Sequence, residues 1–179
     1  MHRLWRETYA TLIASGYEHI AHDAFALSSD EFVKAKRMAT FAPTLCRYSI
    51  CPSQVSIAIG QGAIGNSGPM QYQNALDSTS YATLLGRASL PVEGGLLTTR
   101  DDLVRRTVIA NPLTDLAVDI EVIEASYAID FRAAFRRELV ALGRFEREGI
   151  VENDGKQLRL TAVGCFACGL VADVFDRYA

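Results

Sequence analysis

The chain has 179 residues, a net charge of −3, 49% hydrophobic and 22% charged residues, enough for a domain with a sizeable core that needs no disulfide or metal. No apolar run approaches the roughly 20 residues of a membrane helix, and the N-terminal MHRLWRETYATL has charges among its apolar positions rather than a signal-peptide core. The mild acidity argues against a nucleic-acid partner, no membrane partner is expected, and the expected location is cytoplasmic.

Trp5, Tyr9, Leu12 and Ile13 recur at helical spacing, with Gly16 as the stop. The apolar run Tyr17 to Phe25 reads as a strand. Ser28-Ser29-Asp30-Glu31 reads as a helix start, capped by Ser29 or Asp30 and continuing through Val33 and Met38. The stretch 43–75 is rich in proline and glycine. Its β-branched run Val55 to Ile59 predicts a buried strand, and Gly60, Gly62, Gly65 and Gly68 a loop that lets backbone approach a ligand or another chain. Such glycines equally suit an awkward turn, since no amphipathic helix follows at once.

From Asp77 the pattern is mostly helical. Ser78 to Leu85 is one helix. Thr98 or Thr99 caps the next, favoured by Asp101 and Asp102 at its N-terminus, and Pro112 is expected to break it. Ile120 to Tyr127 is a helix. A longer one starts near Asp130, with Phe131, Phe135, Leu139, Leu142 and Phe145 on one stripe, and ends at Gly149. Residues 150–152 and 157–160 predict a hairpin around Asn153-Asp154-Gly155. Thr161 caps a final helix from Ala162 to Tyr178. The predicted fold class is α+β, mostly helical, with a winged-helix-like end.

Four cysteines occur as Cys46, Cys51, Cys165 and Cys168. The last two have CxxC spacing and would need His19 and His22 to complete a metal set. They lie in an apolar run, where a buried cysteine acts as a small hydrophobe. Structural zinc pairs favour tight turns, and redox pairs a helix start beside a parallel sheet. The core reading is preferred, with no metal site.

The stretch Ile57 to Asn74, IAIGQGAIGNSGPMQYQN, resembles a strand-and-loop segment of oxygen-independent coproporphyrinogen III oxidases, a branch of the radical S-adenosylmethionine (SAM) enzymes. The similarity extends over nearly the whole chain. Gly16-Tyr17-Glu18-His19-Ile20 with Asp23-Ala24-Phe25-Ala26 resembles the family's late barrel strand, and Leu97 to Asp102, Arg105-Arg106 and Val108-Ile109 its next helix. Gly149-Ile150-Val151, Leu160-Thr161, Gly164 and Phe175 to Tyr178 resemble its closing hairpin and last helix.

The resemblance implies remnant strands of a partial β/α barrel over 1–75, carrying the glycine loop, then a helical domain with a β-hairpin wing over 76–179. It implies that the family's cluster cysteines, spaced Cys-x3-Cys-x2-Cys for a [4Fe–4S] cluster that cleaves SAM, are absent here. Cys46 and Cys51 have another spacing, so no intrinsic cofactor is expected. Ile64, with Gly62 and Ala63, falls where the family contacts SAM; ordinary packing is the competing reading of Ile64. Departures also occur. Ala24 replaces a usual histidine, His22 a methionine, and Cys165 and Gly169 two arginines; Pro112 interrupts a helical stretch. They fit a sequence released from older catalytic constraints.

Three functions follow as expectations. The first is an accessory or ligand-binding protein for a tetrapyrrole or SAM-related ligand, without catalytic residues of its own, paired with itself or with a radical-SAM chain through 17–25 or 55–62. The second is a winged-helix nucleic-acid-binding protein using Arg132, Arg136, Arg137, Arg144 and Arg147, against which Glu138, Glu146 and Glu148 suggest a solvated face. The third is a small enzyme with a cleft beside the glycine loop, lined by His19, His22, Asp23, Tyr48, Tyr72 and Asn74. His22 and Asp23, adjacent on one strand, would face opposite sides and form no dyad.

Overall fold

A computed structural model of the chain describes residues 2–44, 48–50 and 55–178; Cys46 and Cys51 lie outside these. By contact the chain groups into two compact units, Met1–Cys51 with Val104–Ala179, and Pro52–Leu103.

In the first unit, α1 (His2–Ala14) carries Trp5 and Tyr9 one turn apart, their rings stacked at 5.1 Å. The stretch expected as one strand is a hairpin: β1 (Tyr17–Ala21) pairs antiparallel with β2 (Ala24–Leu27), Tyr17 opposite Leu27. Alternation looks the same in one strand and in two, and the polar pair His22-Asp23 makes the turn. Next, α2 (Glu31–Arg37) is capped by Asp30, whose carboxylate accepts the Phe32 N–H at 2.8 Å. Ile20, Ala26 and Val33 form a small core against Ala24 and Phe41. A short pair follows, β3 (Ala42–Pro43) with β4 (Tyr48–Ser49).

The second unit is an antiparallel sheet in the order β5 (Val55–Ser56), β6 (Ile64–Ser67), β7 (Met70–Asn74), β8 (Val92–Leu97). Between β7 and β8 lies α3 (Ser78–Gly86), capped by Asp77. The buried strand expected over Val55–Ile59 is corrected: regular pairing stops at Ser56, and Ile57 and Ile59 are 78% and 87% exposed. A short β-branched run does not say by itself what covers it. Strands β7 and β8 escape sequence reading, because glutamines and Gly94-Gly95 weaken any strand signal. They exist through mutual register, from Met70 opposite Leu97 to Gln73 opposite Gly94.

The next helix, α4 (Arg100–Thr114), starts in a reciprocal cap: Thr99 Oγ1 accepts the Asp102 N–H at 3.2 Å, and Asp102 accepts the Thr99 N–H at 2.8 Å. The break expected near Pro112 does not occur there; the helix runs through it to Thr114. Then β9 (Ala117–Asp119) joins β10 (Val151–Asn153) and β11 (Gln157–Leu160) in the order β10-β11-β9. The hairpin expected at 150–160 is present, Val151 opposite Leu160.

Between β9 and β10 lie α5 (Ile120–Tyr127), α6 (Phe131–Ala134) and α7 (Arg136–Arg147). The single helix expected from Asp130 is interrupted at Phe135, at φ −112° and ψ 30°. Its apolar stripe is still buried: Phe131, Phe135, Leu142 and Phe145 join Val108, Ile123 and Phe175 in the main core. The expected last helix, 162–178, is a 3-10 turn (Gly164–Ala167) followed by α8 (Cys168–Asp173). Gly164 and Gly169 give little local support to a longer helix. Among the described residues no barrel closes, and no helix is long and apolar enough to cross a membrane.

Candidate functional site

The turn between β1 and β2 holds one group of expected site residues. The His22 N–H donates to the Leu113 carbonyl at 2.8 Å, tying the turn to the end of α4. Lys36 reinforces this, its ammonium donating to the carbonyls of Ile20 and, at 2.8 Å, of Thr114. With its backbone fixed, His22 places Nδ1 2.6 Å from the Sγ of buried Cys168. Asp23 takes a different partner, accepting from the Tyr48 hydroxyl at 2.8 Å, while the Tyr48 ring stacks on Phe41 at 5.0 Å. The two neighbours thus have separate contacts, as expected of a pair that forms no dyad. The reason is the turn rather than strand alternation.

Burial pushes the Tyr48 phenol well above its ordinary range, and the Asp23 carboxylate adds to the rise. Burial also pushes the Cys168 thiol up to about 11. Both groups are therefore protonated near neutrality, and the Tyr48 hydroxyl donates to Asp23. His19 lies among Trp5, Tyr9 and Phe25, with ring centroids 5.9, 5.5 and 4.7 Å away. Burial there holds its imidazole below the usual range. Among the described residues, no group of three or more His, Cys, Asp or Glu is placed to hold a metal ion.

The second unit holds the other group. Gly62, Ala63 and Ile64 lead into β6, and side chains from β7 clamp the backbone before them. Asn74 Nδ2 donates to the carbonyls of Ala58 at 3.2 Å and Gly60 at 2.9 Å. The Tyr72 hydroxyl accepts the Ala58 N–H at 3.1 Å, and the Tyr81 hydroxyl of α3 accepts the Gly60 N–H at 3.2 Å. Gln73 Nε2 donates to the Gly62 carbonyl at 3.1 Å. The loop's own peptide groups close the arrangement: Gly62 N–H donates to Ala75 O at 3.0 Å, and Asn74 N–H to Ala63 O at 2.9 Å.

Gly65 is required for close approach. A Cβ there would lie 2.4 Å from Tyr72 Cζ and 2.8 Å from the Ser56 carbonyl. Tyr72 and Asn74, expected to line a cleft, thus spend their polar atoms on holding 58–63 in shape. The Ile64 side chain is 41% exposed, less so than Ile57 and Ile59 earlier in the segment.

In each unit a residue escapes sequence reasoning: Tyr81 as a clamp in one, Cys168 as the partner of His22 in the other. A tyrosine on a short helix carries no signal of the loop it will meet. Cys168 is separated from His22 by most of the chain, so only tertiary structure pairs them.

No family model matches the chain. The oxygen-independent coproporphyrinogen III oxidase of Pseudomonas aeruginosa is 32% identical over 173 residues, covering 97% of this chain and 38% of that protein. Its namesake from Synechocystis is 29% identical over 180 residues, covering 98% and 39%, and that of Thermostichus vulcanus 29% over 168 residues, covering 93% and 52%. The chain thus spans only about half or less of the relatives it matches. Among solved structures, the Escherichia coli coproporphyrinogen III oxidase HemN, described as a radical SAM enzyme, superposes with a TM-score of 0.91 at 28% identity. That match covers 98% of this chain and 40% of HemN. By sequence and by fold alike, over nearly its whole length, the chain matches the C-terminal part of the oxygen-independent coproporphyrinogen III oxidases.

Proposed function

We propose that this chain serves as the substrate-covering part of a coproporphyrinogen III oxidase-like assembly and performs no radical chemistry by itself. The observation that supports this reading is the match to HemN across 98% of the chain, with a TM-score of 0.91. A radical-SAM portion, on the same polypeptide or a separate one, would supply the cluster and bind SAM. Ile64, presented by the clamped Gly62-Ala63 loop, would then contact SAM or a tetrapyrrole through its apolar side chain.

The partner would bind at 55–62. This segment exposes Val55, Ile57 and Ile59 at 52%, 78% and 87%. Segment 17–25 is a weaker candidate, since Ile20 and Ala21 are only 4% and 1% exposed. Covering apolar side chains removes them from water, worth about 25 cal/mol per Å².

The test combines this chain with the remaining N-terminal portion of the Pseudomonas aeruginosa relative. With reductant and SAM, under anaerobic conditions, the expected result is consumption of coproporphyrinogen III by the mixture and by neither part alone. A titration with coproporphyrin, followed by visible absorbance, measures ligand binding by the chain itself. Inactivity of a mixture that forms a stable complex, together with no absorbance change, would overturn the proposal.

A further inference from the structure

The turn at His22 contacts a thiol that the proposed function does not use. Cys168 is fully buried, and its Sγ lies 2.6 Å from His22 Nδ1. Three residues earlier, Cys165 is only partly covered, and neither cysteine is in a disulfide. Cys165 belongs to the 3-10 turn Gly164–Ala167, and Cys168 follows it directly. The two cysteines are three residues apart across the junction of the 3-10 turn with α8, at Ala167, the spacing of one helical turn. The turn is anchored at its start by Thr161, whose Oγ1 accepts the Gly164 N–H at 3.0 Å and whose carbonyl accepts the Cys165 N–H at 2.9 Å. A reachable thiol therefore precedes a buried one on an anchored turn, and a histidine nitrogen stands against the buried sulfur.

From this geometry we infer that Cys165 and Cys168 are a reversible dithiol–disulfide pair, oxidised by a small-molecule disulfide, with His22 as the proton acceptor for Cys168. Burial raises the Cys165 thiol too, so its minor thiolate form, the more accessible of the two, attacks one sulfur of the incoming disulfide and releases one thiol. Cys168 then gives its proton to His22 Nδ1 and attacks the Cys165 sulfur. The intramolecular S–S bond forms, and the second thiol leaves. Two protein thiols lose two electrons in total, and one external disulfide gains them. Burial disfavours the Cys168 thiolate, so a base in contact with that sulfur makes closure feasible. Oxidation removes the thiol whose sulfur contacts His22. It thereby alters the hydrogen bonding of the imidazole next to the Asp23–Tyr48 pair and couples redox state to the candidate site.

The test uses the full chain in buffers of reduced and oxidised glutathione, quenched by alkylation and mapped by tryptic mass spectrometry. Cleavage after Arg159 and Arg177 puts Cys165 and Cys168 on one peptide, Leu160–Arg177, without Cys46 or Cys51. The expected product is that peptide lacking two hydrogens and refractory to alkylation, restored by reductant. In Cys168→Ser a glutathione adduct should persist on Cys165. In Cys165→Ser the peptide should remain unmodified. His22→Gln should slow closure at least about tenfold and accumulate the mixed disulfide. Circular dichroism checks that each variant keeps its fold. Persistence of the Cys165 adduct in the unsubstituted chain, or no reaction at either cysteine, would overturn the pair. Closure at an unchanged rate in His22→Gln would overturn the role of the histidine.

Discussion

Asn74 is 2% exposed and donates to two carbonyls of the loop before Gly62. Replacing it with alanine leaves those acceptors without their donor, which costs about 1–3 kcal/mol. Hydrogen exchange should therefore quicken across 58–63 in Asn74→Ala; unchanged exchange would mean that the clamp does not order the loop. Gly164 tests close packing differently. A Cβ there would sit 2.0 Å from the Ile150 carbonyl oxygen, so Gly164→Ala should destabilise by roughly 1–3 kcal/mol in a denaturant melt.

Tyr48 carries a pH signature. Burial, assisted by Asp23, raises its folded-state pKa above the unfolded value, so its contribution is present below the ordinary tyrosine range. It is lost as the pH rises through the folded value. Ultraviolet titration should show one tyrosine ionising late, and Asp23→Asn should bring it earlier. His22, Asp23, Tyr48 and Asn74 could be picked from the sequence as candidates, because polar residues beside strands and glycines stand out. Their partners were not legible, because hydrogen bonds such as His22 to Cys168 join residues far apart along the chain.

At the scale of elements, Arg105 pins the helical region together. From α4 it donates to Glu138 of α7 at 2.7 Å and to the Phe175 carbonyl at 2.9 Å, with its guanidinium 5.1 Å from the Phe135 ring centroid. Both charged side chains are only 14% exposed. Glu138→Ala removes one charged hydrogen bond while Arg105 keeps the Phe175 carbonyl, so it should cost about 1.5–3 kcal/mol. A double-mutant cycle with Arg105→Ala should return a coupling energy clearly above zero; additive effects would deny the pair its role. Helices with a clear local pattern were readable from sequence, as with α2 behind its Asp30 cap and α5 over Ile120–Tyr127. Elements that depend on a neighbour were not. Strand β9 exists because β11 pairs with it, and β8 because β7 does. The shared burial of Phe131 and Phe145 follows the helical stripe, but the break between them at Phe135 leaves no mark in that periodicity.

At the scale of the molecule, both apolar core clusters lie in the unit formed by Met1–Cys51 and Val104–Ala179. The unit Pro52–Leu103 relies more on its strand ladder and the clamp hydrogen bonds; Ala75 is its most deeply buried apolar residue. Amides of 64–74 should therefore exchange faster than those of 104–108 or 139–145. Binding of the proposed partner at 55–62 should slow them. Exchange equally slow in both regions would contradict this ranking. The division expected at 75/76 is one of descent, whereas contact groups the chain in another way.

The sequence by itself determined the family likeness, the α+β class, most of the helices and the closing hairpin. Those features rest on local periodicity, caps and turns, and on motifs kept in order. Only the tertiary structure decided that Tyr72 and Asn74 hold the glycine loop, that 17–27 folds back as a hairpin, and that His22 meets Cys168. Each of these depends on surfaces brought together across long stretches of chain, where a linear pattern carries no record of the partner.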